Sequence, residues 1–293
     1  MATDVKTSSP AKLLAYDGDC PMCLATIRLL LRLGLVRPEQ TRSNHDLEPA
    51  DLEAAQRAGI RNQLVVIDLA TRETRAGSDA LLWIIGDNTR VHQLVRLLGW
   101  PGFRHLLRFG YETISYNRRV ISPPRHQIVC DCEPEVTVAR RLTLIVPLVL
   151  ATIGLVAGFG AAVFVGWGLG DALTGAIFIQ IAAGSGWIAM IAAATAVLRG
   201  MQRIDYVAHL VVTMFIGALV LVPGAIVTLL LPRPASAAID ALLVLAACAL
   251  MFGMQRRRVA AIGLGSVWLW AWAVVVVLIT AGSIVSHFRE QLF

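Results

Sequence analysis

The chain has 293 residues, of which 56% are hydrophobic, and its 26 Lys/Arg against 20 Asp/Glu give a net charge of +6. Charges are concentrated in residues 1–141, because residues 142–293 hold only seven arginines, no lysine and four acids. Basic and acidic residues are interleaved without a long basic run, which argues against a nucleic-acid-binding protein. The composition predicts a soluble N-terminal domain followed by a membrane domain.

The first residues do not resemble a secretion signal. Met1–Pro10 is polar, and the next apolar stretch, Leu13–Tyr16, is too short for the apolar region of a signal peptide. We expect residues 1–11 to be disordered. We also expect the N-terminal domain to stay on the side of the membrane where it is made.

The first predicted elements are a short strand and a helix. Lys12–Tyr16 is apolar and precedes the turn-forming residues Asp17–Asp19, which predicts a buried strand that ends in a tight turn. Apolar residues at helical spacing follow, which predicts an amphipathic helix from Cys20 to Gly34.

The later predicted elements of the soluble domain are also a mixture of helices and strands. Helices are predicted at 49–58, 78–85, 91–98 and 102–115, and a strand is predicted at 64–69 with a hairpin partner at 71–75. This order is compatible with a small thioredoxin-like sheet over residues 12–122.

Two cysteines stand at the start of the first helix, in the sequence Cys20-Pro21-Met22-Cys23. Pro21 suits the first helical turn, where its missing N–H is not needed. The backbone N–H groups at an exposed helix N-terminus favour a thiolate, so Cys20 is the predicted nucleophile. Cys23 lies one turn later and is the predicted resolving thiol. A strand, a CxxC motif and a helix in this order indicate dithiol redox chemistry.

Two carboxylates precede this motif. Asp19 is next to Cys20, and a negative charge there disfavours the thiolate. The sequence leaves open whether Asp17 or Asp19 instead caps the helix.

A second cysteine pair, Cys130 and Cys132, lies in a proline-flanked linker predicted over residues 123–141. Three interpretations stay open. The pair could join Cys20 and Cys23 in a four-thiolate zinc site, or it could be a second redox pair that exchanges electrons with the first. In the third interpretation the two cysteines are unrelated surface thiols.

Five apolar runs follow, each long enough to cross a hydrocarbon core of about 30 Å. They predict an all-α membrane domain over residues 142–293, with spans near 143–166, 172–198, 206–231, 236–254 and 259–285. The fourth span is the shortest and has Asp240 near its start. Interior polar residues such as His209 and Thr213 are few, and Cys248 is expected to be a small packing residue.

The arginines indicate the orientation of these spans. They occur as Arg140 and Arg141 before the first span, Arg199 and Arg203 between the second and third, and Arg256 to Arg258 between the fourth and fifth. The opposite loops hold only Asp171 and Arg233. The positive-inside rule therefore predicts a cytoplasmic N-terminal domain and an outside C-terminus, in an inner or plasma membrane.

The N-terminal motifs resemble those of the DCC family of thiol-disulfide oxidoreductases. Tyr16–Cys23 is similar to the YDGxCPxC opening of that family, Gly77–Leu82 to its GxxAL segment, and Tyr111–Arg118 to its closing motif. The resemblance covers about residues 12–122 and implies a thioredoxin-like fold with dithiol chemistry at Cys20 and Cys23. It also makes Asp17, Asn117 and Arg118 family positions.

One departure concerns substrate binding. Thioredoxins hold the substrate backbone at a cis-proline before the third strand, whereas Arg61-Asn62-Gln63 precedes the predicted strand here.

Together these features predict a membrane-bound thiol-disulfide oxidoreductase that acts as a reductant in the cytoplasm. Its expected partners are the lipid bilayer and a protein that carries a thiol or disulfide. The sequence indicates no cofactor and no nucleic-acid partner, and it is compatible with an oligomer. The alternative is a membrane transport or signalling protein whose cytoplasmic domain senses redox state or zinc through its four N-terminal and linker cysteines.

Overall fold

A computed structural model describes residues 12–86, 88, 91–123 and 137–278. The chain divides into two compact units at residues 136 and 137. The expected disorder of residues 1–11, and most of the predicted linker with Cys130 and Cys132, lie outside the described residues.

The N-terminal unit is a small domain of mixed sheet and helix. Its strands are β1 (Lys12–Tyr16), β2 (Thr41–Ser43), β3 (Val65–Asp68) and β4 (Thr74–Ala76). Its helices are α1 (Pro21–Arg32), α2 (Pro49–Arg57), α3 (Gly77–Ile85), α4 (His92–Leu98), α5 (Pro101–Tyr116) and α6 (Arg118–Ile121).

The four strands form one sheet in the order β2-β1-β3-β4. β1 pairs with β2 in parallel and with β3 antiparallel, and β4 pairs antiparallel with β3. A parallel pair needs a crossover connection, and α1 supplies it between β1 and β2.

The two central strands are buried on both faces of the sheet. Leu14 of β1 and Val66 of β3 pack in a cluster that includes the inner residues of α1 and α3. Ala15, Val65 and Ile67 belong to a second cluster with α2. This alternation is the two-residue period of strands, and it explains why both strands are continuously apolar.

Helix α1 buries one face against this core. Cys23, Ile27 and Leu30 are its buried residues, at the three- and four-residue spacing of a single helical face. The helix ends before Gly34, whose φ of 63° is accessible to glycine at little steric cost. Arg32 in the last turn lies where a cation stabilises the helix dipole.

Strand β2 is the one strand of the described sheet that the periodicity does not predict. Its three residues Thr41, Arg42 and Ser43 are polar, and only Ser43 is buried. The strand lies at the edge of the sheet, where half of its backbone groups have no strand partner and apolar alternation is not required.

The C-terminal unit consists of long apolar helices. They are α7 (Val138–Trp167), α8 (Ala172–Val197), α9 (Gly200–Leu230), α10 (Arg233–Ala261) and the shorter α11 (Ser266–Leu278). Within the described residues, α7 to α10 are each long and apolar enough to cross a membrane, and α11 is an apolar helix below that length.

The bounds of the last two spans differ from those predicted. Helix α10 continues through Arg256–Arg258 to Ala261, so these arginines belong to a helix and not to a loop. The fifth predicted span, 259–285, overlaps the end of α10 and all of α11, and its last residues lie outside the described part of the chain.

Asp240, near the start of the fourth predicted span, is buried inside the helix bundle. Its carboxylate accepts a hydrogen bond from the Thr228 hydroxyl of α9. Gly224 of α9 gives it room, because a Cβ there would lie 2.6 Å from an Asp240 carboxylate oxygen. A carboxylate with a partner inside the protein avoids contact with lipid, which explains how α10 tolerates it.

The close crossing of α7 and α8 yields a stability prediction. A Cβ on Gly160 would lie 2.5 Å from the backbone oxygen of Gly175, whereas one on Gly158 would have nothing within 4 Å. We expect Gly160→Ala to destabilise the bundle by about 1–3 kcal/mol, the usual cost of overpacking, and to lower the melting temperature in detergent. Gly158→Ala is the matched control, and an equal effect of both variants would contradict this packing.

Candidate functional site

Cys20 is the residue that caps helix α1. Its backbone is extended, and its sulfur accepts a hydrogen bond from the backbone N–H of Cys23 at 3.3 Å. The backbone N–H of Cys20 donates to the carbonyl of Asp17, which closes the turn after β1. Neither Asp17 nor Asp19 caps the helix, so the alternative left open by the sequence is resolved in favour of the cysteine itself.

This position lowers the pKa of the Cys20 thiol from 9.0 to about 6. The hydrogen bond from the Cys23 thiol is the largest cause, and the Cys23 backbone N–H and the charge of Arg118 act in the same direction. Burial and the Asp17 carboxylate oppose the shift.

The pKa of Cys23 moves in the opposite direction. Its thiol donates to the Cys20 sulfur, so losing that proton costs the hydrogen bond, and burial and the negative charge of Cys20 raise the pKa further. At neutral pH the pair therefore holds one thiolate, at Cys20, and one thiol, at Cys23.

Both cysteines are nearly inaccessible, which corrects the expectation of an exposed Cys20. Cys20 is 7% exposed and Cys23 is 9% exposed. Their side chains pack into the same apolar cluster as Leu14, Val66 and Ile84. The reason is that the helix begins directly after a buried strand, so its first turn starts inside the domain.

A buried ion pair lies beside the cysteines. Arg118 of α6 donates to the carboxylate of Asp17 at 2.9 Å, and both side chains are buried. The same guanidinium nitrogen donates to the backbone carbonyl of Arg61 at 2.8 Å. Arg118 thus joins the end of β1 to the segment before β3, although it is 101 residues from Asp17 in the sequence.

Asp19 has a partner of its own. Its carboxylate lies 3.0 Å from the imidazole of His45, at the surface. Nearby, the backbone N–H of Gly18 donates to the side-chain oxygen of Asn44. A Cβ on Gly18 would lie 3.0 Å from Ser43, so the turn fits closely against the residues after β2.

The segment before β3 is held by helix α5. The hydroxyl of Tyr111 accepts a hydrogen bond from the backbone N–H of Leu64 at 2.8 Å, and the Ser115 hydroxyl donates to the carbonyl of Asn62. Burial raises the pKa of Tyr111 to about 12, so it stays a neutral phenol. These contacts hold residues 62–64, the segment that directly precedes β3.

The structure therefore assembles most of the predicted site residues. Cys20, Cys23, Asp17 and Arg118 meet at the start of α1, with Pro21 in the first helical turn. Asn117 is buried, and its side chain donates to the carbonyl of Thr113 at the end of α5. This hydrogen bond joins Asn117 to the last turn of the helix that ends directly before it.

The second cysteine pair stays a prediction. Cys130 and Cys132 lie outside the described residues, so neither the zinc site nor the second redox pair is tested. Cys248 is an exposed residue of α10, although the sequence predicts a packing role for it.

Polar side chains in the membrane unit meet between α9 and α10. His209 is buried, and its Nδ1 lies 3.0 Å from the Arg258 guanidinium. Arginine can only donate, so Nδ1 accepts and the ring carries its proton at Nε2. Thr213 and Gln255, both buried, lie one helical turn further along the same two helices and contact each other at 3.4 Å.

Arg141 and Asp205 pair near this cluster. Arg141 of α7 donates to the Asp205 carboxylate of α9 at 2.7 Å, which brings the first arginine cluster next to the start of α9. Asp205 and His209 are one turn apart on α9, so Arg141 and Arg258 lie at the same end of the bundle.

The N-terminal unit is thus a small α/β domain with two cysteines at a helix N-terminus, and four of the helices described in the C-terminal unit are able to cross a membrane. The model of the DCC1-like thiol-disulfide oxidoreductase family matches residues 14–123. This match confirms, for the N-terminal domain, the resemblance found in the motifs, and the long apolar helices lie outside it. No curated protein and no solved structure matches the chain.

Proposed function

We propose that this chain is a membrane-bound thiol-disulfide oxidoreductase in which Cys20 is the nucleophile and Cys23 the resolving thiol. The observation that carries the proposal is the hydrogen bond from the Cys23 backbone N–H to the Cys20 sulfur at the helix cap. This contact and the Cys23 thiol favour a thiolate at Cys20 alone, so the two cysteines have different roles.

The reaction runs in two exchange steps. The Cys20 thiolate attacks one sulfur of a substrate disulfide, the substrate S–S bond breaks, and one substrate thiolate leaves. Cys23 then loses its proton and attacks the Cys20 sulfur. The mixed disulfide breaks, the second substrate thiolate leaves, and Cys20 and Cys23 form a disulfide. Two electrons pass from the dithiol to the substrate.

The pKa values predict the pH dependence of alkylation. The thiolate is the reactive form, and the Cys20 thiolate forms as the pH rises through about 6. We expect the rate of Cys20 alkylation by iodoacetamide to rise between about pH 5 and pH 7 and then to level off. Mass spectrometry of the labelled peptide measures this rate. A rate that rises without levelling up to pH 9.0 would indicate an unperturbed thiol and contradict the thiolate.

The proposed direction of electron flow is from the domain to its substrate. A cytoplasmic position supports it, because that compartment keeps dithiols reduced. A stabilised Cys20 thiolate favours the reduced form of the pair, so its reduction potential is expected to lie above that of an unperturbed dithiol. A cytoplasmic thiol donor would therefore readily reduce the oxidised Cys20–Cys23 pair again.

The proposed orientation has the N-terminal domain in the cytoplasm and the C-terminus outside an inner or plasma membrane. Its support is the distribution of arginines, since Arg141 and Arg258 lie at the same end of the bundle as the Arg199–Arg203 connection. A fifth span through α11 completes this topology, because only an odd number of spans separates the two termini.

A thioredoxin-like fold is part of the proposal. The order β2-β1-β3-β4, with β1 and β2 parallel through α1 and β3 antiparallel, supports it. The dithiol at the start of the crossover helix, directly after the central strand β1, is a second support.

Thiol titration with metal analysis on the purified chain tests the dithiol. We expect mild reductant to expose two more thiols in the wild-type chain than in Cys20→Ser or Cys23→Ser, with no bound metal. Cys248→Ser is the control, and it should keep the two-thiol difference because Cys248 lies in α10. One tightly bound zinc per chain, released by either substitution, would contradict the oxidoreductase.

The second candidate is a transport or signalling protein gated by its cysteines. The observation that favours it is the buried cluster of His209, Thr213, Gln255 and Arg258, because polar groups buried between membrane helices are often functional. Full exchange activity in an Arg258→Met chain, together with the two-thiol difference, would favour the oxidoreductase over this candidate.

A further inference from the structure

Helix α5 packs against its domain through polar side chains. Arg104 and Arg108 donate to the carboxylate of Asp79 in α3, both at 2.9 Å. Tyr111 and Ser115, on the same side of the helix, hold the segment before β3. The inner face of this helix is therefore the polar one.

The outer face of α5 is apolar, the reverse of an ordinary surface helix. Its exposed residues are Phe103 at 43%, Leu106 at 65%, Phe109 at 56% and Ile114 at 49%. At 100° per residue these four side chains fall in an arc of about 140°, opposite the arc that holds the polar contacts. Water would therefore meet a row of large apolar side chains.

The apolar surface continues into the preceding helix. Leu94 and Leu97 of α4 are 53% and 56% exposed, and Trp100 between the helices is 65% exposed. We call these three residues, with Phe103, Leu106, Phe109 and Ile114, the outer face of α4–α5. Contiguous exposed apolar residues on this scale mark a surface that another phase or molecule covers.

We propose that the outer face of α4–α5 lies on the anionic phospholipid surface of the membrane that the same chain spans. The proposal rests on the membrane helices and not on the dithiol chemistry. Three observations select lipid: the charge of the two helices, their aromatic residues, and the short connection to the first span.

The charge of α4–α5 complements an anionic surface. Within α4 and α5 the charged residues are Arg96, Arg104 and Arg108 against the single acid Glu112. Arg104 and Arg108 are more than half exposed although they contact Asp79. Arg104 and Arg108 lie on the side of α5 opposite its apolar residues, whereas Arg96 lines one surface depression with Leu97 and Trp100. Arg96 is therefore the arginine beside the outer face, and a basic residue in that position is typical of helices that lie in the plane of a membrane interface.

An aromatic residue of the outer face also favours a membrane interface. Trp100 and Phe103 contact each other, with ring centroids 6.4 Å apart, at the bend between the two helices. Tryptophan is enriched where acyl chains meet headgroups, so Trp100 is the residue of this pair that favours a membrane interface. Helix α5 has 16 residues, so it would lie flat over about 24 Å of surface.

The chain also keeps the membrane within reach. The described part of the N-terminal unit ends at residue 123, and α7 begins at Val138. Fifteen residue steps span at most about 50 Å in any conformation, so the domain stays near the bilayer surface. Because the chain tethers the domain to the membrane, the effective concentration of the membrane surface near the domain is high. Weak contacts are then enough to hold the domain on that surface.

The test is lipid photolabelling of the full chain in nanodiscs. The discs contain phosphatidylcholine and phosphatidylglycerol with a phospholipid that carries a diazirine below its headgroup, and mass spectrometry maps the labelled residues. We expect label on the outer face of α4–α5 at several times the level on Leu29 and Leu33. Those two leucines of the α1 region are each 55% exposed and serve as the internal reference.

A double variant, Leu106→Glu with Phe109→Glu, tests the contact itself. We expect it to lower the label on Trp100 and Phe103 roughly tenfold, because two large apolar contacts are lost. The matched control Leu29→Glu should leave that label unchanged.

Two results would overturn the proposal. One is equal labelling of the outer face and of Leu29 and Leu33 in the wild-type chain, a comparison that needs no variant to fold. The other is low lipid label together with α5-to-α5 crosslinks found only in discs with two copies, which would assign the face to a second copy of the chain.

Discussion

Cys20→Ser is expected to abolish disulfide exchange, and Cys23→Ser is expected to stop it after the first step. The reason is the asymmetry of the pair: Cys20 holds the thiolate, while the pKa of Cys23 is raised by its hydrogen bond to Cys20 and by burial. The loss in Cys20→Ser should be about 10³-fold or more, since removing an activated nucleophile acts on that scale or above.

The stoichiometry with an aromatic disulfide separates the two variants. With 5,5′-dithiobis(2-nitrobenzoate), the wild-type dithiol should release two thionitrobenzoate ions, one at each exchange step. Cys23→Ser should release one and keep the other on Cys20 as a stable mixed disulfide. Cys20→Ser should release none, because burial still raises the pKa of Cys23 and keeps it a protonated thiol.

The background must be free of other thiols. Serine at positions 130, 132 and 248 removes the remaining cysteines of the chain, and the same three substitutions are made in all samples. Equal release from Cys20→Ser and Cys23→Ser would contradict the assigned roles. A loss of the two-ion release when only Cys130 and Cys132 are replaced would instead make the linker pair part of the reaction.

The sequence predicts the first strand and the first helix because their signals are local. A strand, a turn, a CxxC motif and an apolar helical period lie within residues 12–34, and each part follows from short-range rules. The apolar spans are equally local, since lipid requires a long apolar helix wherever the chain crosses it. The structure therefore has the first strand, the first helix and four of the five predicted spans, whereas the described part of the fifth is shorter than a membrane span.

The contacts that the sequence does not predict join residues that are far apart in the chain. Arg118 reaches Asp17 across 101 positions, and Tyr111 reaches Leu64 across 47. No periodicity links such residues, and only the family motif marks Arg118 and Tyr111 at all. The near-complete burial of Cys20 is missed for the same reason, because it depends on how α1 packs on β1 and β3 and not on α1 itself.

The outer face of α5 is a case where the pattern is visible but its direction is not. Apolar residues recur at helical spacing, which ordinarily indicates a face turned to the core. The structure turns that face outward, because Arg104, Arg108 and Tyr111 have their partners on α3 and before β3. Periodicity predicts that α5 has an apolar face. Tertiary contacts determine whether that face packs against the domain or is exposed.

Arg118→Met is expected to destabilise the N-terminal domain strongly. The Asp17 carboxylate would lose its arginine while it stays buried, and the Arg61 carbonyl would lose its donor. Breaking a buried ion pair by removal of one partner typically costs about 3–5 kcal/mol. A loss of this size is a large part of the stability of a domain of this length.

Urea-dependent labelling of Cys23 isolates the unfolding of this domain within the full chain. Cys23 is buried in the native domain and becomes accessible when that domain unfolds. Unfolding of the membrane helices does not contribute to this signal. We expect the labelling midpoint to move to clearly lower urea in Arg118→Met. Arg104→Met is the matched control, because its guanidinium is exposed and Asp79 keeps Arg108 as a partner.

The double variant Asp17→Asn with Arg118→Met distinguishes an unpaired charge from lost packing. The amide oxygen of asparagine can still accept the hydrogen bond that Asp17 accepts from the Asp19 backbone N–H, and no charge is left buried. We therefore expect the double variant to be more stable than Arg118→Met alone. Because Arg118 lowers the pKa of Cys20, the alkylation profile of any folded Arg118→Met chain should also move to higher pH. A wild-type midpoint and an unchanged alkylation profile in Arg118→Met would show that the ion pair neither stabilises the domain nor supports the thiolate.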